Sequence, residues 1–559
     1  MTDAAIFEAV CALHAQGQYL AAHDRAVAAL DAGADHDGLR HRAVLGLAQA
    51  GASGSALRLY ERLGMSGSHS AEIAALGARL LKDQALAGVA GAARAAETAY
   101  GTLWNRHGVG WHGVNAAAMA LLAGAPPRAR ARAGALGDIP DAGDYWAAAT
   151  LAEASLLRGD MAACAGWLAA AEDRAGGDWN VRRTTRRQLR WELALLGEDP
   201  ALVALLHSPG TVHFCGAIPR GPDAADPAPE ATLRAQLAPV LHGVRFGFGS
   251  LAAGADIVIA EALLDAGAEL TLVLPFPANA FAAISVLPAG AAWGPRFEAC
   301  LAQAKVTVLE PAAQDDLDFA MTSRRAMGLA RLQASRIDGA VWQVAVPQGG
   351  AGRTVGDIAA WRGSGGETRS LVSPWQVGAG GSRPAPGRHL KTVLFGDFPG
   401  FGNLDDAALA RFYAGPLREI GRLVEGAAYR NAWGDAVQIV FDDPGDAVAS
   451  ALAIQRAFSV EALSAWGLPA HLLPRLALDF GPLLAVHDAV QNVGKFAGRI
   501  MTRAARIEPV TPPGLVYATE AFACEMALRP GSAVACDYAG LVPTAKGFGT
   551  LPLYAVRGV

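Results

Sequence analysis

HLKTVLFGDFPGF at residues 389–401 and AAYRNAWGDAVQIVF at residues 427–441 decide how this chain reads. In the first, an alternating apolar strand runs up to Asp397, and Pro399-Gly400 follows as a turn. In the second, Gly434-Asp435 lies between two strand-like halves, where a hairpin turns. One aspartate at a strand end is usually a turn former. Two at adjacent strand ends are hard oxygen donors that could hold a pair of magnesium ions about 4 Å apart. Working outward, DAVASALAIQRAF (446–458) has helical spacing and PRLALDFGPLLAV (474–486) reads as a strand. KFAGRIMTRAARIEP (495–509) reads as a helix, and AKGFGTLPLYAV (545–556) as closing hairpin strands.

Five of these segments, taken in order, resemble the catalytic domain of class III adenylate/guanylate cyclases. LFGDFPGF (394–401) is similar to the family pattern in which an aspartate binds metal, and WGDAVQIVF (433–441) to the Gly-Asp turn that supplies the second one. The resemblance places Asp397 and Asp435 together, with Phe398 beside them, as the metal site for two Mg2+ or Mn2+ ions. RLALDFGP carries the arginine that contacts phosphate, here Arg475. GRIMTRAARIE carries the transition-state arginine, here Arg506, and AKGFGTLPLY the triphosphate lysine, here Lys546. What this implies is an α+β (ferredoxin-like) domain over 390–559 and a phosphorus-oxygen lyase. A ribose 3′-hydroxyl attacks the α-phosphate and pyrophosphate leaves, with positive groups meeting the developing charge. It also implies a homodimer, because in this family the aspartates and the arginine come from different subunits.

Two departures from the family bear on activity and on substrate. Thr502 stands where the family places an asparagine, four residues before Arg506; it can donate a hydrogen bond, with a shorter reach. Asn431 and Lys495 align with the two base-reading positions and match neither the adenine nor the guanine pair. Lysine has no acceptor for the adenine amine, but can donate to guanine O6 or a pyrimidine carbonyl, and Asn431 can accept. Family frequency favours ATP and this local chemistry leans away from it, so the base is left open. Two further readings stand beside an active cyclase: a cyclase-fold domain that binds nucleotide without turnover, and a scaffold acting through its helical part.

Upstream, residues 1–208 read as an all-helical region. FEAVCALHAQGQYLAAHDRAVAAL (7–30) repeats alanine and leucine at helical spacing, with breaks at Gly17, Asp31–Gly33 and Gly51–Gly54. The shared pattern of residues 17–30 and 53–64 suggests stacked hairpins of the tetratricopeptide type, a scaffold offering a concave face to a protein partner. Residues 100–124 and 143–175 resemble a helical regulatory region that precedes cyclase domains in some multidomain bacterial proteins.

Residues 209–345 alternate strand and helix, the rhythm of a parallel sheet. The turn Gly247-Phe-Gly249-Ser250, then Gly254 and Glu261, resembles the glycine-rich turns of Rossmann-like nucleotide-sensing domains, which implies a nucleotide-derived ligand there. The alternative is a purely structural domain whose glycines serve tight turns. Residues 346–389 are rich in glycine, serine and proline and read as a linker.

The chain has 559 residues, room for three or four domains of roughly 150 residues each. Apolar residues are 52% and charged residues 18%, an ordinary globular balance. A net charge of −5 without a basic stripe argues against nucleic acid as the main partner. The most apolar stretch (255–276) carries Asp256, Glu261, Asp265 and Glu269 and reads as a soluble core, not a membrane span. The N-terminus lacks the pattern of a signal peptide, and six scattered cysteines without a CxxC pair fit a reducing cytoplasm.

Overall fold

The computed structural model describes residues 2–15, 19–49, 53–68, 70–136, 140–176, 179–219, 228–309, 313–348, 352–375 and 386–558. Contacts divide the chain into two units: Met1–Ser208 with Asp537–Arg557, and Pro209–Cys536.

The first unit is built of short helices. Four come first: α1 (Asp3–Ala15), α2 (Tyr19–Asp31), α3 (Asp37–Gln49) and α4 (Ser53–Arg62). After them run α5 (Ala71–Leu86), α6 (Ala92–His107), α7 (Gly110–Leu122) and α8 (Pro126–Ala135). The series ends with α9 (Tyr145–Arg158), α10 (Met161–Arg174) and α11 (Trp179–Leu196). From α1 to α10 each helix packs on the next. Punctuation in the sequence sets the ends. Asp144 and Asp160 cap α9 and α10 by accepting from the Ala147 and Ala163 amides at 2.7 and 2.9 Å, and Gly159 leaves α9 with φ +88°. The expected break at Asp31–Gly33 is present, whereas Gly17 and Gly51 lie outside the described residues. The interior is dominated by alanine and leucine, such as Ala117, Ala120, Leu121, Ala133 and Leu157.

The second unit opens with a sheet of parallel strands: β1 (Gly210–Gly216), β2 (Val244–Gly249), β3 (Glu269–Leu274), β4 (Lys305–Val308), β5 (Val341–Val346) and β6 (Thr368–Ser370). Their order, β4-β3-β2-β1-β5-β6, starts at the centre and winds outward both ways. Helices α12 (Ala228–Val240), α13 (Ala255–Asp265), α14 (Ala278–Ser285), α15 (Trp293–Gln303), α16 (Asp316–Ile337) and α17 (Arg353–Gly363) accompany it. This corrects the sequence reading of residues 346–389 as a linker. Thr354 and Trp361 bury α17 despite the surrounding glycines, and β6 extends the sheet beyond β5. Most of the Gly/Pro-rich stretch 378–389 lies outside the described residues.

Next come β7 (Arg388–Asp397), α18 (Asp406–Ala414), α19 (Pro416–Leu423), β8 (Tyr429–Trp433), β9 (Ala436–Phe441), α20 (Pro444–Ala457), α21 (Val460–Ala465) and β10 (Arg475–Asp488). Strands and helices thus follow a β-α-β-β-α-β order, and the strands lie side by side as β10-β7-β9-β8, antiparallel throughout. Then β11 (Val493–Ala497) folds back on β10, α22 (Arg499–Ile507) follows, β12 (Val516–Thr519) joins β10 in parallel, and α23 (Glu520–Ala527) covers it. The helix expected over 495–509 therefore starts four residues late. Lys495, Phe496 and Ala497 are strand, paired with Val486, Ala485 and Leu484, and extended Gly498 separates them from α22. Two strands, β13 (Val534–Pro543) and β14 (Thr550–Gly558), end the chain.

One helix serves both sheets of this unit. α16 packs on β1, β2 and β3 and also on α23. At Gly328 a Cβ atom would lie 2.3 Å from Cys524 Cβ and 2.5 Å from its Cα and carbonyl oxygen, so only glycine fits. Around that contact Arg324 Nε donates to Glu525 Oε2 at 2.7 Å and Arg325 pairs with Glu520 at 3.0 Å. At the start of the helix the capping residues Asp315 and Asp318 grip Arg388 of β7, the latter at 2.8 Å.

Glycine to alanine in an open helix stabilises by about 1 kcal/mol. Gly356→Ala on α17, where a Cβ meets nothing within 4 Å, should follow that rule. Gly328→Ala should instead cost about 1–3 kcal/mol, because the Cβ meets backbone that cannot turn aside. Urea denaturation of the full chain distinguishes the two signs.

Candidate active site

Antiparallel pairing of β7 with β10 sets Asp397, the last residue of one, directly opposite Arg475, the first of the other. The β8–β9 hairpin brings its turn to the same place: Trp433 pairs with Ala436, and Gly434 takes the left-handed conformation (φ +62°) that a two-residue hairpin loop needs. Asp435 completes that turn, with the Asp397 carboxyl as its charged neighbour. Burial first, then the neighbouring Asp397, pushes Asp435 up to about 6, while the backbone amide of Phe398 opposes the rise. The Phe398 side chain points elsewhere, buried against Phe412 and Phe458 with ring centres 5.0 and 5.3 Å away.

Arg475 supplies the positive charge. Its Nη2 donates to Asp397 Oδ2 at 2.7 Å. Its Nε lies 2.6 Å from Oε1 of buried Glu508 in an ion pair whose angle is poor for a hydrogen bond. Burial raises the Glu508 carboxyl to about 7 against the pull of Arg475. The expected metal residues and Arg475 are thus assembled in one place, together with a third carboxyl group.

Two carboxylates in contact need a proton or a cation between them, and here Arg475 already plays that part for Asp397. Such an all-oxygen pair fits Mg2+ or Mn2+, ions often held by one or two carboxylates with substrate oxygens completing the shell. Among the described residues, no group of three or more His, Cys, Asp or Glu is arranged to hold an ion.

α22 carries Thr502 and Arg506 four residues apart, the first exposed and the second half-buried. Its anchor lies between them. Arg503 Nε and Nη2 donate to Asp479 Oδ2 and Oδ1 at 2.6 and 2.9 Å, and Thr519 donates to Oδ1 at 2.6 Å. Asp479 is fully buried in β10, so these bonds carry a charge that water cannot reach.

The two base-reading positions are on different strands. Asn431 is in β8 opposite Gln438, and Lys495 is in β11 with its ammonium on Asp488. Asp488 thus sets an acceptor beside the donor of Lys495 and is pulled down to about 2 by it. Lys546 is exposed in the turn between β13 and β14 with φ +57°, a segment that belongs by contacts to the helical unit.

In the parallel sheet, the glycines face side chains. A Cβ at Gly247 would lie 2.5 Å from Leu263, at Gly249 2.5 Å from Phe214, and at Gly254 (φ +87°) 2.2 Å from Pro219. Ser250 is half-buried, and Glu261 pairs with Arg234 and Arg296.

Sequence reasoning passed over Glu508, Asp479, Arg503 and Thr519. Asp479 had a signal: a lone charge inside the apolar run RLALDFGP demands a buried partner. Glu508 had none, because a glutamate after a helix and before Pro509 looks like surface.

No family model matches the chain, and no curated protein matches it. Solved structures similar to part of it include cyclase domains. The adenylyl cyclase CyaB from P. aeruginosa is 20% identical over 31% of this chain and 95% of its own, with a TM-score of 0.28. The guanylyl cyclase Cya2 is 18% identical over 31% and 93%, with a TM-score of 0.27. The guanylate cyclase domain of RhGC from Catenaria anguillulae, in complex with GTP, is 19% identical over 30% and 97%, with a TM-score of 0.26. At such values the chemistry rests on this chain's own residues.

Asp479→Ala should cost about 3–5 kcal/mol in urea denaturation, since it removes the buried carboxylate on which Arg503 and Thr519 converge.

Proposed function

We propose that Pro209–Cys536 contains a nucleotidyl cyclase site that converts a nucleoside triphosphate to its 3′,5′-cyclic nucleotide and pyrophosphate. The observation that carries this reading is the carboxyl pair Asp397–Asp435, held by a strand end and a two-residue turn, with Arg475 bound to it. Asp397 and Asp435 would hold Mg2+ or Mn2+, with the Phe398 backbone beside Asp435. Bound there, the ions would lower the pKa of the ribose hydroxyl and neutralise the triphosphate.

The other residues act on charge and orientation. Arg475 faces the polyphosphate, and Arg506, presented by a helix that Asp479 anchors, meets the charge growing on the α-phosphoryl oxygens. Asn431 and Lys495, with Asp488 beside it, face the base. The site works as a homodimer in which one copy supplies the aspartates and the other Arg506. Thr502 in the asparagine position favours a second reading, nucleotide binding without turnover. Beyond the site, the parallel-sheet domain binds a nucleotide-derived ligand and the helical unit a protein partner, in a cytoplasmic signalling protein.

Mass spectrometry of a mixed nucleoside triphosphate reaction with Mn2+ tests the activity. One cyclic nucleotide is expected from the wild type and none from Asp435→Asn, a variant that should keep its circular dichroism spectrum. Binding of all four triphosphates without any product establishes the second reading instead.

Mixing Asp397→Ala with Arg506→Ala chains, each inactive alone, should restore one working site per heterodimer. Confirmed heterodimers without activity would rule out the shared site.

A further inference from the structure

A guanidinium closes on a carboxylate most strongly through two parallel N–H groups. Arg503 does so on Asp479, using Nε and Nη2 on the two oxygens of one carboxylate. Arg475, four residues earlier on the same strand, divides those same two nitrogens between two acids: Nη2 donates to Asp397 and Nε faces Glu508. The difference is imposed by Glu508, which follows α22, is only 4% exposed, and lies on the Nε side.

Resting on the cyclase reading above, we infer that Glu508 is a positioning residue that keeps Arg475 from closing bidentately on Asp397, so that Asp397 remains exchangeable between the guanidinium and a divalent cation. Arg475 then has one fixed partner and one that it can surrender. When a cation takes Asp397, Arg475 stays tethered through Nε, and Nη2 turns to an anion. Without Glu508 the guanidinium closes on Asp397 and competes with the cation for it.

Glu508→Met removes the acceptor at nearly constant volume, and Glu508→Gln keeps an oxygen for Nε. The readout is the rise in melting temperature of the full chain as Mn2+ is added, which needs no turnover. Groups that orient metal ligands typically change metal affinity about 10- to 100-fold. Glu508→Met should therefore move the Mn2+ midpoint at least about tenfold upward, with Glu508→Gln staying near wild type. In Arg475→Met/Glu508→Met the competitor is gone, and the midpoint should return to wild type or below.

An unchanged midpoint in Glu508→Met overturns the inference, as does a double variant whose midpoint is as weak as that of the single one. Should Glu508→Met melt too low to titrate, the double variant alone decides. Failure of the cyclase reading looks different: the wild type gains nothing from Mn2+, or Asp435→Asn gains as much as the wild type.

Discussion

At Gly328 two helices come so close that Cys524 of α23 leaves no room for a side chain on α16, and the second unit depends on that approach. α16 has its other side on the parallel sheet, so the absence of one Cβ fixes the distance between that sheet and α23. The ion pairs of Arg324 and Arg325 with Glu525 and Glu520 surround an already close contact and fix its rotation. At the start of the same helix Asp315 and Asp318 hold Arg388, the first residue of the strand that ends at Asp397. Helix, strand and carboxylate thus form one continuous line of packed structure.

Within the site, a local and a long-range constraint meet. The β8–β9 turn is local: Gly434 accepts the backbone and Asp435 comes with it. Asp397 depends on the register of β7 against β10, which also sets Arg475 opposite it. The sequence made the aspartates legible because strand alternation, turn residues and family resemblance converge on them. It hid Glu508, whose importance comes from burial at a place that only tertiary packing creates, and for Asp479 it showed a lone charge in an apolar run without showing the partners. Lys495 went astray as secondary structure for a related reason. Helical spacing in GRIMTRAARIE is strong enough to extend a helix backward, but extended Gly498 and pairing with Val486 stop it.

The parallel sheet shows the converse. Three of its strands, β1, β2 and β3, were plain in the sequence as mostly buried apolar runs flanked by glycine, and the exposed β4 by its β-branched residues. The outer part, α17 and β6, was masked by glycines and serines that resemble a linker, although Trp361 is fully buried there. Composition measures the average of a segment, whereas a helix needs only one good face. Among the glycines, Gly247 and Gly249 accommodate Leu263 and Phe214, whose side chains take the space a Cβ would need.

The double duty of α16 also bears on modularity. A domain that evolution or an engineer can lift out has a boundary crossed by few contacts. Here the cut before β7 would leave Gly328, Arg324 and the Arg388 cap on one side and their partners on the other. The β7–α23 region is therefore not a cassette ending at the Gly/Pro-rich stretch. A transplant that includes α16 carries the parallel sheet with it, so the two inherit as a pair.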